Sequence, residues 1–166
     1  CLLMEVGQVV CNINTVSQST MEIIENYIEG KLQAAAVGNY IENYNPSIGT
    51  AYSLVPDSDS TDVDLAASAA QKAFPAWAAM SSSERSSILL KIADLIDRDL
   101  DQLALAESVD QGKPLKLAKS VDIPRASANM RFYATAAMHF ASESHLMEGE
   151  AINYTTRTPI GVAGCI

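Results

Sequence analysis

Cys165, in the run Gly161-Val162-Ala163-Gly164-Cys165-Ile166, is the first side chain to weigh as a nucleophile. A thiol attacks as its thiolate, which needs a base, a cation or a helix N-terminus beside it. The sequence around Cys165 supplies none, so it reads as a buried apolar residue, as free cysteines commonly are. Cys1, Cys11 and Cys165 are odd in number and lack CxxC or zinc-ligand spacing, so neither a disulfide framework nor a metal site is expected. His139 and His145 lie six apart, on different faces of a helix rather than in the i, i+4 pair of a metal site, and read as surface or satisfied core residues. Arg125 follows Pro124 at a helix start and leads into the small residues Ala126, Ser127 and Ala128. Its guanidinium can make a surface ion pair with an acid such as Asp122, or bidentate hydrogen bonds to a ligand carboxylate; both readings stay open. Lys113, Lys116 and Lys119 at i, i+3 spacing read as a solvated face, as do Asp94, Asp97, Asp99 and Asp101. Neither GxGxxG nor GxxxxGK[ST] occurs, so residue types and spacing alone assemble no catalytic set.

The elements that must position these groups are set by periodicity. Residues 1–22 carry no clear period and read as a poorly ordered lead-in to one unit over 23–166. Asn26-Tyr27-Ile28 and Lys31-Leu32 flank Gly30. Residues 40–44 and 51–55 read as two short strands around Asn45-Pro46-Ser47-Ile48-Gly49, closed by Pro56. A helix is expected over 61–79, with Thr61 and Asp64 as its start signal, Ala66, Ala67, Ala70, Ala73, Phe74 and Trp77 on its apolar side, and a kink or early end at Pro75. Ser81 and Glu84 form a capping-box signature ahead of the stripe Ile88, Leu89, Ile92, Leu95 and Ile96. A third helix runs from Leu100 to a stop at Gly112 with Pro114 beyond, a short turn comes next over 114–119, and a long helix spans 123–141 with Pro124 in its first turn. Residues 152–157 alternate like a strand, and 160–166 read as a buried strand after Pro159. The order is a hairpin, about four helices, then strands: an α/β chain whose sheet is only begun.

The 166 residues suffice for one domain, and 48% hydrophobic with 19% charged residues is a globular balance. A net charge of −9 with scattered basic residues argues against a nucleic-acid partner. No apolar run approaches a bilayer span and no basic n-region precedes the mildly apolar start, so no membrane partner and a cytoplasmic location are expected. Opening on Cys1 and ending on Ile166 inside an apolar strand pattern, the sequence reads as a piece of a longer protein.

Asn26-Tyr27-Ile28-Glu29-Gly30-Lys31, Tyr44-Asn45-Pro46-Ser47-Ile48-Gly49, Ala73-Phe74-Pro75-Ala76-Trp77 with Glu84-Arg85, Glu107-Ser108-Val109-Asp110-Gln111-Gly112-Lys113-Pro114, Arg131-Phe132-Tyr133-Ala134 and Tyr154-Thr155-Thr156-Arg157-Thr158-Pro159-Ile160-Gly161-Val162-Ala163-Gly164 occur in this order over 26–166. Together they resemble the N-terminal part of the aldehyde dehydrogenase superfamily. Asp110-Gln111-Gly112-Lys113 with Val121-Asp122-Ile123-Pro124-Arg125 is most similar to its 2-aminomuconic and 2-hydroxymuconic semialdehyde branch. The resemblance implies the N-terminal portion of that α/β fold: a β-hairpin, a helix block, an oligomerisation strand over 153–157 that pairs with another subunit of a homo-oligomer, and the first Rossmann-like strands of the NAD-binding domain. It implies NAD-dependent oxidation of an aldehyde to an acid through a cysteine thiohemiacetal, whose chemical residues would all lie beyond Ile166. Arg125 matches an arginine that holds a substrate carboxylate in that branch, and Ile166 would sit at the rim of the cofactor cleft. The alternative is a non-catalytic interaction module, a helix block with an exposed strand edge.

Overall fold

A computed structural model describes residues 21–165. Cys1, Cys11, Ile166 and nearly all of the lead-in expected over 1–22 lie outside the described residues; Glu22 already belongs to the first strand.

The chain begins with β1 (Glu22–Ile23), β2 (Asn26–Ile28), β3 (Lys31–Gln33), β4 (Tyr40–Asn45) and β5 (Thr50–Pro56). The expected hairpin is β4–β5, antiparallel with a register shift at Asn43/Tyr44, and β1 adds to β5 in parallel to give the order β1-β5-β4. β2 and β3 form a separate two-stranded ribbon.

The first helix, α1 (Ser60–Ala79), starts earlier than Thr61 and Asp64 suggest: Asp59 is the cap, its carboxylate accepting from the Thr61 amide at 2.7 Å. Asp62 closes the box from Asp59 N–H at 3.2 Å and also accepts from Ala36 N–H at 2.9 Å, so this buried carboxylate ties the loop before β4 to the helix start. Helix α1 runs through Pro75 without ending there. The carbonyl of Gln71 loses its helical partner, but Gln71 and Pro75 both reach solvent, where water can serve it. Ala66, Ala67 and Ala70 on the expected apolar side lie outside any core, and Trp77 is 38% exposed.

Helix α2 (Ser82–Arg98) opens on the expected box: Glu84 N–H donates to Ser81 Oγ at 3.2 Å and Ser81 N–H to Glu84 Oε2 at 2.8 Å. Helix α3 (Leu100–Gln111) ends on Gly112 in the left-handed region. A single turn, α4 (Leu115–Leu117), widens into a π-type turn over Ala118–Asp122 that runs directly into α5 (Ile123–His139). The core lies between α2 and α5, where Ala93, Ala134, Ser86 and Ser127 are buried and let the helices approach closely. Arg131 Nη2 on α5 reaches Asp94 and Asp97 on α2 at 2.8 and 2.5 Å.

The last elements are β6 (Ser144–Met147) and β7 (Ala151–Tyr154), an antiparallel hairpin around Gly149. The strand expected over 152–157 is shorter at its end because Arg157 turns back, stacking over Phe140 at 4.5 Å and donating to the Ala141 carbonyl. Residues 155–165 form no strand where one is expected from 160 onward, since no described segment runs beside them to make a ladder. Cys165 is accordingly exposed, not the buried residue its neighbours suggest.

Candidate functional site

The end of α3 is fixed to the β4–β5 hairpin, and this anchor sets the path of the chain beyond Gly112. Asp110 Oδ1 accepts from Tyr52 Oη at 2.8 Å and Asn43 Nδ2 at 3.0 Å, while Gly112 packs over Pro46. These hydrogen bonds, from Asn43 first and Tyr52 next, hold the Asp110 carboxyl below its ordinary value of 3.8, and burial first, then Asp110, pushes the Tyr52 hydroxyl up. A depressed carboxylate stabilises the fold above its unfolded value, and that contribution is lost as pH falls through the lower folded value. Below pH 3.8, therefore, the wild-type unfolding midpoint is expected to fall more steeply than that of Asp110→Asn. Parallel acid-limb slopes in thermal melts of the two proteins would remove Asp110 from this role.

Immediately after Gly112, Lys113 turns into the joint between α3 and the π-type turn. Its Nζ lies 2.7 Å from Glu107 Oε1 and 3.0 Å from Asp122 Oδ2. Glu107, and then Asp122, raise the Lys113 ammonium above its ordinary range. Lys113 is thus a half-buried bracket rather than part of a solvated basic face, and Lys119 pairs with Asp101 at 2.6 Å. Asp99 pairs with Arg98, so the four aspartates expected to be merely solvated all hold cations.

Arg125 stands one turn on, at the start of α5. Its nearest acid is Asp122, with Nη2 3.5 Å from Oδ1, and its side chain is 69% exposed. The ion-pair reading of Arg125 is present in the geometry, and the long distance leaves the guanidinium open to a second anion. His139 and His145 are exposed and far apart in sequence from this cluster. Among the described residues no group of His, Cys, Asp and Glu is arranged to hold a metal ion, and no helix is long and apolar enough to cross a membrane. The sequence alone singles out Arg125 and its partner Asp122 but misses the Glu107–Lys113–Asp122 bracket. The available signal is Gly112, whose left-handed turn sends Lys113 back across the helix it has just left.

A helix block beside small, incomplete sheets makes this a mixed α/β segment, with an exposed cation at the start of α5. The aldehyde dehydrogenase family model matches residues 33–166, and the chain belongs to that family. It is similar to 2-aminomuconic semialdehyde dehydrogenase of Homo sapiens, 43% identical over 145 residues, covering 87% of this chain and 29% of that protein. The Mus musculus protein of the same name is 45% identical over 148 residues, with the same coverage. Among solved structures, the NAD+ complex of an aldehyde dehydrogenase from Bacillus cereus superposes with a TM-score of 0.76 at 32% identity, covering 80% of this chain and 28% of that one. The chain therefore spans under a third of the length of the relatives it matches.

Proposed function

We propose that this chain contributes the N-terminal segment of an NAD-dependent semialdehyde dehydrogenase that oxidises a carboxylated aldehyde to the corresponding acid. The observation that carries it is the match to semialdehyde dehydrogenases at 43% and 45% identity over most of this chain, with Arg125 exposed at the start of α5. Arg125 binds the substrate's carboxylate and so orients the aldehyde end away from itself. NAD, carried by the Bacillus cereus relative, accepts the hydride when bound. The described residues do not fit as its cradle: Gly161 and Gly164 have open space where a Cβ would stand, so neither marks a close approach of backbone to a bound group. The cofactor, the cysteine nucleophile and the base that activates water belong to the rest of the enzyme.

The β6–β7 hairpin favours a second role in the same enzyme, assembly. Every one of its strand residues is exposed, including Leu146, Ile152 and Tyr154, and an isolated two-stranded ribbon is marginal in water. An added subunit covers it in a homo-oligomer. The test is made on full-length protein: NADH formation from a carboxylated semialdehyde, with sedimentation of wild type and Ile152→Lys. NADH and a smaller Ile152→Lys species are expected; no turnover of any aldehyde overturns the enzymatic reading, and an unchanged mass overturns the hairpin's role.

A further inference from the structure

We infer that Lys113 and Asp122 are positioning residues that set how strongly Arg125 selects a carboxylated substrate; the inference rests on the proposed role of Arg125 as the carboxylate-binding group. Asp122 has two carboxylate oxygens, and they are committed differently. Oδ2 accepts from Lys113 Nζ at 3.0 Å, whereas Oδ1 lies 3.5 Å from Arg125 Nη2. The inner partners are fixed, with side chains 28% exposed for Lys113 and 20% for Asp122, and Glu107 holds Lys113 from its other side at 2.7 Å. The outer cation is loosely held and 69% exposed.

A guanidinium binds a carboxylate best through a fork of two parallel N–H···O bonds. With Oδ2 drawn toward Lys113, Asp122 turns only Oδ1 toward Arg125, at 3.5 Å, so the guanidinium keeps a free edge for an incoming anion. Lys113 also offsets the negative charge that Asp122 would otherwise present to that anion. Removing Lys113 frees Oδ2 to complete the fork, engages Arg125 internally and leaves an acid facing the substrate. Neutralising Asp122 does the reverse. The π-type turn makes this arrangement, because it carries Asp122 against the α3–α4 joint while Arg125, three residues on, stands in solvent.

The two substitutions therefore act in opposite directions, which a merely structural role does not predict. In the full-length enzyme, steady-state kinetics are measured with a carboxylated semialdehyde and with an aliphatic aldehyde of equal chain length. Lys113→Met is expected to raise the KM for the carboxylated substrate about threefold and Asp122→Asn to lower it about threefold, the scale of an exposed charge interaction. Both should leave kcat and the aliphatic KM unchanged, and Lys113→Arg should restore the wild-type ratio. The ratio of the two KM values is the readout, since a reduced yield of folded enzyme does not move it. Shifts of that ratio in the same direction, or no shift, overturn the inference. Arg125→Ala run alongside separates the two ideas: if it alone changes the ratio, only the bracket fails, and if it changes both KM values equally, the role of Arg125 fails and takes the bracket with it.

Discussion

Arg125→Ala in the full-length enzyme is expected to raise the KM for a carboxylated semialdehyde about tenfold while changing the KM for a simple aliphatic aldehyde little. The magnitude is the lower end of what a hydrogen bond to a charged group contributes, about 1.5 kcal/mol, because the guanidinium is largely in water before substrate arrives. The selectivity is a matter of chemistry: an aldehyde without a carboxylate has nothing for the guanidinium to grip, so its binding is indifferent to the loss. Little structural damage should accompany it, since Arg125 meets Asp122 only through a 3.5 Å contact, and Asp122 keeps Lys113 when Arg125 is gone. Arg125→Lys should fall between, retaining the charge without the planar fork. The comparison of KM values across the two aldehydes decides the matter, and equal increases would show that Arg125 does not read the carboxylate.

Why the place of Arg125 at a helix start is legible in the sequence and the bracket behind it is not is a matter of range. A guanidinium behind Pro124 at a helix start announces itself locally. Glu107, Lys113 and Asp122 come together only because Gly112 reverses the chain and the π-type turn inserts a wider step, neither of which leaves a periodic trace. The same division runs through the fold. Ser81 with Glu84, the Ile88 stripe and the Gly112 stop are local and are realised as expected. The α1 start differs because two overlapping acidic patterns compete, and Asp62 is chosen by a tertiary partner, the Ala36 amide, that no window around the helix contains. A charged acceptor also outcompetes a threonine hydroxyl for the first-turn amides.

The end of the chain shows the opposite error, in which a locally convincing pattern lacks its partner. Residues 160–165 have the apolar, β-branched character of a buried strand, yet a strand is a property of two backbones. With no described neighbour they stay irregular and exposed, Cys165 among them. Conversely, the sequence reading passes from the helix over 123–141 to the strand over 152–157 without β6, which pairs with β7 across a turn holding Gly149 at φ 74.

Gly112→Ala is expected to be the most damaging glycine-to-alanine change among the described residues, lowering stability by about 2–3 kcal/mol, from a left-handed backbone penalty of about 1–2 and an overpacking term of about 1. At φ 72 the residue sits where a side chain is strained, and an added Cβ would stand 2.9 Å from Pro46 Cγ and 3.3 Å from Pro46 Cβ. The proline ring belongs to the tight β4–β5 turn and cannot swing aside as a flexible side chain would. Gly38→Ala provides the control, since its φ of 74 imposes the same backbone cost while its Cβ would meet nothing within 4 Å. Thermal unfolding of the two variants isolates the contact, and equal losses would mean that the turn yields. Because Gly112 directs Lys113 toward Glu107 and Asp122, relaxing that turn should also disturb the bracket. A Gly112→Ala enzyme that still folds is therefore expected to lose part of its preference for the carboxylated substrate, as Lys113→Met does, whereas Gly38→Ala keeps it.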